Sequence, residues 1–277
     1  MLATPGKTVR EHFARARSTL SRDEVLKAVS AAINGLEHCI NSRIMGKEKM
    51  EIEALISDFL GDFNRHPVIR EYFYAHGVHA MPFIKYAKGK ENKLLEKFET
   101  IERDMTVAEK QAEEQAEKQQ EQRKEELLQK GQECLDQEDF PRGKGALRRA
   151  AEAYGDEPGL LVDIADRLYK AKQWREAAEF AERAMEKFRM DPKPYSVAVQ
   201  AYMQMREFEA CENVFLKVLK QFGAHPRTYQ SMSRMYLEWR NYDKAYDFAK
   251  QALEQDPDLK IAKEIVEKVG KRMFSNG

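Results

Sequence analysis

The chain has 277 residues, and its 47 basic and 47 acidic side chains give a formal net charge of zero. This length suits one or two domains, and the balanced charge argues against the basic face that non-specific binding to nucleic acid needs. No apolar run approaches the roughly 20 residues of a membrane-spanning helix, and residues 1–7 lack the apolar stretch of a signal peptide, so we expect a cytoplasmic protein with no nucleic-acid partner and no membrane span.

Residues 1–90 are predicted to form an N-terminal helical module. Two sets of apolar residues recur there at helical spacing: Val9, Phe13, Ala16 and Leu20, then Val25, Val29, Ala32, Ile33 and Leu36. Ser21 is a candidate N-cap for the second of these helices. His66 ends a later helix, because a residue that precedes proline avoids the α region. The first two helices could form a hairpin like those of the C-terminal half, but we favour a small separate bundle.

Residues 91–126 are predicted to form one long charged linker helix. Its apolar residues alternate in steps of four and three: Leu94, Phe98, Ile101, Met105, Ala108 and Ala112. Such a heptad-like stripe fits a dimerising coiled coil, or a helix whose first turns pack on the N-terminal module while the rest is a spacer. We favour the spacer, because two good heptads are short for a stable coiled coil.

The C-terminal half repeats with a period of 34 residues. Five sets of positions carry the period: Leu127, Leu161, Tyr195 and Tyr229; Cys134, Leu168, Tyr202 and Tyr236; Phe140, Trp174, Phe208 and Tyr242; Gly143, Ala177, Cys211 and Ala245; Ala150, Ala184, Val218 and Ala252. A fixed period of this length predicts stacked helix pairs, since no single pair can bury its apolar face alone. Stacks of this kind typically serve as binding surfaces.

Each repeat contains two apolar stripes with a short break between them. In the second repeat the break is at residues 171–173, between a stripe that ends at Leu168 and a stripe that begins at Trp174. Small residues of the second stripe, such as Ala177, allow the two helices to approach closely, and the aromatic residue fills the corner between them. The pattern therefore predicts a helical hairpin in each repeat.

This pattern resembles the tetratricopeptide repeat (TPR) family over residues 124–258. The resemblance implies a solenoid of helical hairpins in which four TPR repeats span 127–258, at about 124–157, 158–191, 192–225 and 226–258. With the patterns of the N-terminal half, we expect an all-α fold in which a long helix joins this solenoid to an N-terminal helical bundle. Gly143 and Cys211 depart from the family at a position where alanine is usual. Residues 259–277 are predicted to form a C-terminal capping helix with a polar outer face.

The sequence contains no catalytic or metal-binding motif that we recognise. Residues 6–8 (Gly-Lys-Thr) look like the end of a P-loop, but the earlier glycine and the preceding strand are missing, so we expect at best a flexible tail. His66, His76 and His79 are close in sequence, but no cysteine or carboxylate motif completes a metal site. We therefore expect a chain that is not an enzyme and has no metal site and no cofactor.

The resemblance also implies a concave groove lined by the first helix of each repeat. The family positions that usually face this groove give a candidate partner-binding set: Gln132, Asp166, Tyr169, Lys193, Gln200, Met203, Arg227, Gln230 and Arg234. The same positions also hold Leu128, Leu135, Val162, Lys170, Ser196 and Leu237. All of these groove positions lie outside the apolar pattern that builds the core, so we expect that packing does not explain their identity. In a peptide complex, Tyr169 and Met203 would be apolar anchors, and the basic residues Lys193, Arg227 and Arg234 would favour an acidic segment.

We expect a non-enzymatic adaptor or scaffold that binds a segment of a partner protein in the groove. The carboxylate clamp of chaperone-binding TPR proteins is discounted, because its basic residue and its asparagine are replaced by Leu128 and Gln132 in the leading repeat. A second class of function stays open. It is a self-assembling structural protein, for example a homodimer, that oligomerises through the linker helix or the ends of the solenoid.

Overall fold

The structure is a computed structural model that describes residues 5–42 and 44–274. The described residues form helices and no strand, which confirms the all-α prediction. The helices are α1 (Pro5–Leu20), α2 (Val25–Asn41), α3 (Gly46–Arg65), α4 (Pro67–Ala75), α5 (Glu91–Asp136), α6 (Phe140–Tyr154), α7 (Leu160–Lys170), α8 (Trp174–Lys187), α9 (Lys193–Met205), α10 (Phe208–Phe222), α11 (Pro226–Glu238), α12 (Tyr242–Gln255) and α13 (Lys260–Phe274).

The chain divides into two compact units, Met1–Lys118 and Gln119–Gly277, each with its own hydrophobic core. The helix α5 contributes residues to both units, and it runs without a break through the predicted linker and into the first predicted repeat. The sequence predicts four modules, and their boundaries remain a prediction: 1–90, 91–126, 127–258 and 259–277.

The core of the first unit is built around four phenylalanine rings. Phe59 and Phe63 from α3 lie 6.0 Å and 5.1 Å from the ring of Phe98 on α5, and Phe13 from α1 lies 5.8 Å from Phe59. All four side chains are buried. Because Phe98 of α5 packs among these buried rings, the first turns of α5 belong to this core.

Beyond Thr106 the environment of α5 changes. All positions from 107 to 123 are exposed, including the stripe residues Ala108 and Ala112. Without a partner the later part of the stripe is solvated, as expected for a segment rich in Glu, Gln and Lys.

Four turns with the same geometry recur in the second unit. The residues Glu138, Lys172, Arg206 and Arg240, each 34 positions after the last, have φ angles of 60°, 58°, 59° and 64°. In each turn the next backbone N–H donates to the carbonyl five residues earlier, at 2.8, 2.9, 3.0 and 2.9 Å. A left-handed residue other than glycine is uncommon. The same uncommon turn recurs every 34 residues although the residue in the left-handed conformation differs. This recurrence confirms the TPR-like helical-hairpin repeats.

A fifth copy of this turn lies in the first unit, between α1 and α2. Asp23 has a φ of 61°, and the N–H of Glu24 donates to the carbonyl of Thr19 at 3.0 Å. The pair α1–α2 thus has the turn geometry of the repeats, although the sequence favoured a different arrangement. The predicted N-cap Ser21 is wrong, because the left-handed turn delays the start of α2 to Val25 and Ser21 Oγ instead donates to the carbonyl of Ser18.

Two further predictions concern the ends of helices in the first unit. Residues 6–8 lie within α1, so the expected flexible tail is wrong. The break at His66 is confirmed, since α3 ends at Arg65 and α4 begins at Pro67.

The small residues of the repeats lie where helices meet most closely. A Cβ added to Gly131 of α5 would lie 2.7 Å from Leu147 Cγ, and one added to Gly143 of α6 would lie 3.1 Å from the carbonyl oxygen of Gly131. This contact gives a physical reason for Gly143 at a position where alanine is usual. After the last hairpin, α13 buries Ala262 and Val269, while its lysines remain exposed.

Candidate partner-binding groove

The first helices of the second, third and fourth hairpins, α7, α9 and α11, line two adjacent recesses. The first, of about 480 Å³, lies at α7 and α9, and we call it the acidic recess. The second, of about 470 Å³, lies at α7, α9 and α11, and we call it the apolar recess. Ser196 and Gln200 of α9 line both, so the two recesses form one continuous groove.

Three carboxylates and one lysine line the acidic recess: Asp163, Asp166, Asp191 and Lys193. Asp163 forms an ion pair with Arg167 at 2.7 Å, and Asp166 forms one with Lys170 at 2.5 Å. Asp191 accepts a hydrogen bond from the backbone N–H of Lys193 at 2.9 Å. These pairs lie at the surface, where each contributes little to stability and can rearrange. The carboxylates can therefore accept a cationic group from a ligand.

The apolar recess has a floor of Tyr169, Val199, Met203 and Phe215. Phe215 is buried, and the other three are half-buried. Met203 is unbranched and polarisable, so it can adapt its shape to an apolar ligand side chain. This recess suits an aliphatic or aromatic anchor.

Polar groups surround that floor. Gln200 Nε2 donates to Ser196 Oγ at 3.2 Å, and Arg234 forms an ion pair with Glu238 at 3.4 Å. The amide and hydroxyl groups can exchange these internal bonds for bonds to a peptide backbone. Carboxylate, amide, hydroxyl, thioether and aromatic groups are suited to non-covalent binding of a peptide segment.

The structure places six of the nine predicted site residues in the two recesses: Asp166, Tyr169, Lys193, Gln200, Met203 and Arg234. The other three lie outside both. Gln132 Nε2 donates to Asp136 at 2.8 Å, and its carbonyl accepts from Arg167 at 3.4 Å. Arg227 is exposed at the start of α11, and Gln230 is half-buried on the same helix. The role of the whole set in binding remains a prediction.

Three of the wider set of groove positions, Leu128, Leu135 and Val162, belong to the hydrophobic core. Leu128 and Leu135 of α5 are 5% and 4% exposed, so the expectation that packing does not explain them is wrong. For Leu135 the physical reason is the close approach of α6, where Gly143 lies against this side chain. Val162 is also buried, at 9% exposed, although it borders the acidic recess.

Sequence reasoning missed several residues of the groove. Phe215 comes from α10, the second helix of a hairpin, whereas the predicted set contains only residues of first helices. Asp191 lies in the connection between repeats. Val199 could have been noticed from the sequence. It is a large apolar residue at a repeat position where the earlier repeats have the small residues Gly131 and Ala165.

In the described part of the chain, no group of three or more histidine, cysteine, aspartate or glutamate side chains is placed to hold a metal ion. Burial raises the pKa of the Cys211 thiol to about 12, so this cysteine is a poor nucleophile. Between residues 5 and 274, leaving out residue 43, no helix combines the length and the apolar character needed to cross a membrane.

Several solved structures are similar to this chain. The MamA protein shares 13% identity at a TM-score of 0.43, covering 53% of this chain and 80% of its own. YrrB, described as a TPR protein with an unusual peptide-binding site, shares 15% at 0.39, covering 47% and 67%. PilF of Pseudomonas aeruginosa shares 13% at 0.36, covering 95% and 99%. Similarity at this level does not bear on what this chain binds. No protein-family model and no curated protein matches the sequence.

Proposed function

We propose that the groove along α7, α9 and α11 binds a segment of a partner protein, and that the chain is a non-enzymatic adaptor or scaffold. The observation that carries this proposal is the continuity of the acidic and apolar recesses through Ser196 and Gln200. Because packing of the hairpins holds the groove open, binding requires little reorganisation of the receptor.

The dimensions of the groove suggest how a peptide would lie. Lys193 lines only the acidic recess and Met203 only the apolar recess; they are ten residues apart on α9, so the groove extends over about 15 Å along the helix axis. About five residues of an extended peptide, or about three turns of a helical one, span this distance. An apolar side chain in the apolar recess would thus place a neighbouring group near Asp163 and Asp166.

The groove can be tested by blocking both recesses at once. In the double variant Gln200→Arg/Met203→Arg, two long cationic side chains would fill the space that a peptide needs. Neither residue is fully buried, so the fold should be retained. The full chain and the variant would be used to capture proteins from native lysate, with quantification by mass spectrometry. We expect at least one protein to be strongly depleted with the variant.

A matched control uses the same residue types elsewhere. Met190 and Gln221 are both exposed and lie outside both recesses, so Met190→Arg/Gln221→Arg adds the same charge away from the groove. The control should capture what the unmodified chain captures. Equal capture by all three folded proteins would refute the proposed groove.

The partner segment is proposed to carry an acidic group toward Arg227 and Arg234. The double variant Arg227→Glu/Arg234→Glu should weaken such a partner about tenfold at low salt, since each exposed pair contributes 0.2–1 kcal/mol and reversal adds repulsion. The control Lys217→Glu/Lys220→Glu makes the same charge change on α10, at exposed positions outside both recesses. Affinity would be measured by isothermal calorimetry with the captured partner. Unchanged affinity in the folded Arg227/Arg234 variant would exclude the acidic segment.

Self-assembly through α5 is a second candidate function. The observation that favours it is the exposure of Ala108 and Ala112, which continue the apolar stripe of α5. A dimer would bury these residues against the same residues of a second copy. The mass of the full chain in solution, measured by light scattering, distinguishes this function from the adaptor.

A further inference from the structure

The first unit contains a groove that the proposed function does not use. It has a volume of about 1160 Å³ and lies between the start of α2, the helix α4 and residues 103–111 of α5. It is more than twice the size of either recess in the second unit. We propose that this α2–α4–α5 groove is a second docking site, and that it binds a basic amphipathic helix of a partner protein.

The floor of the groove is apolar and in part exposed. Val25 is buried, and Tyr72 and Met105 are half-buried beside it. Val68 of α4 and Val107 of α5 are large aliphatic residues that are 42% and 48% exposed. Exposed aliphatic residues on facing helices of one groove mark a surface that gains free energy when a partner covers it.

The charged residues along the groove are mostly acidic. Five carboxylates line it, with two basic side chains: Asp23, Glu24, Glu71, Asp104 and Glu109, with Lys27 and Arg103. The exposed His76 also lines the groove. This excess of negative charge favours a cationic partner, because complementary potentials speed association and disfavour partners of like charge.

Some of these carboxylates already have partners. Glu24 forms an ion pair with Lys27 at 3.3 Å, and Asp104 accepts a hydrogen bond from Tyr72 Oη at 2.7 Å. Glu71 and Glu109, on α4 and α5, form no ion pair with any described residue. These two carboxylates are therefore free to meet lysine or arginine side chains on a bound helix.

The shape of the groove favours a helix as the occupant. All three walls are helical, and ridges of side chains on helices accept the ridges of another helix. Residues 103–111 of α5 extend over about 12 Å, which corresponds to two turns of a partner helix. Such a helix would present apolar anchors spaced three and four residues apart, with basic residues on either side.

The charges also disfavour a second copy of this chain as the occupant. Residues 107–118 of α5, the exposed segment that could pair with another α5, contain four glutamates and two lysines. Placing this segment in the groove would bring carboxylates next to Glu71 and Glu109. A partner with a basic helix avoids that repulsion.

The test uses the full chain and a displayed library of amphipathic helices. All library members share an apolar face of leucines, and the flanking positions vary among lysine or arginine, glutamate or aspartate, and glutamine. We expect selection on the full chain to enrich helices with basic flanks. The affinity of an enriched peptide should fall at least tenfold in the double variant Val68→Asn/Val107→Asn, which makes the floor polar without changing the charge.

Two further variants make the test specific. Val78→Asn changes a valine that is 40% exposed in the same unit but outside the groove, and it should leave the affinity unchanged. Glu71→Gln/Glu109→Gln should reduce the preference for basic over neutral flanks at least threefold at low salt. Thermal melts followed by circular dichroism would verify that each variant is folded.

Three results would overturn the proposal. The first is no enrichment of any helix, and the second is enrichment of acidic or neutral flanks over basic ones. The third is a dimer in light scattering that Val68→Asn/Val107→Asn dissociates, since the groove would then hold a second copy. The groove variants of α9 should not affect the selected peptide, so a failure here is distinguishable from a failure of the proposed function.

Discussion

Replacing Tyr236 with alanine is expected to lower the free energy of unfolding of the second unit by about 3–5 kcal/mol. Tyr236 of α11 is 1% exposed, and its ring stacks on Phe248 and Trp239 with centroids 5.3 Å and 5.9 Å away. Its hydroxyl donates to Glu212 of α10, and Lys244 Nζ lies 5.0 Å from the ring centroid. Truncation would leave a cavity where two hairpins meet, and these neighbours cannot close it without giving up their own contacts.

Urea denaturation, followed by circular dichroism and by hydrogen exchange of peptides from each unit, would measure this loss. The matched variant Tyr236→Phe keeps the ring and removes only the hydroxyl. It should cost about 1 kcal/mol, the contribution of one hydrogen bond. If the two variants are equally destabilised, the hydrogen bond to Glu212 and not the packing of the ring holds the last hairpins together.

Replacing Phe98 with alanine is expected to lower the free energy of unfolding of the first unit by about 3–5 kcal/mol, without changing the mass of the protein in solution. Phe98 is 0% exposed and lies in the ring cluster of α3 and α5. It also belongs to the heptad-like stripe. The variant therefore separates two roles of that stripe, the core of the first unit and a seam between two copies.

The control is Ala112→Gln, at an exposed position on the same stripe. It should change the stability by no more than about 0.5 kcal/mol, as surface substitutions usually do. Light scattering before and after each substitution would report the oligomeric state. A dimer that Ala112→Gln dissociates, with a matching loss of stability, would show instead that the stripe is a coiled-coil seam.

The groove was predictable in part. The period identified α9 and α11 as helices of the groove. Met203 of α9, one of the predicted site residues, lies in the apolar recess. Burial was harder to foresee, because Leu128 and Leu135 occupy groove positions of the period but are buried in the core. Whether a side chain at a repeat position is accessible to a ligand depends on how closely the next helix approaches. The position in the repeat does not predict that distance.

The sequence by itself determined the helices of the repeats, their breaks and their 34-residue step. These features depend on local spacing and turn geometry, which neighbouring residues set. Only the tertiary structure decided which side chains border one recess, because Tyr169, Phe215 and Arg234 come from three different helices. It also decided that α1–α2 has the turn of the repeats and that Val68 and Val107 face one groove. Such juxtapositions arise from packing between segments that are distant in sequence, and the period of the chain does not contain them.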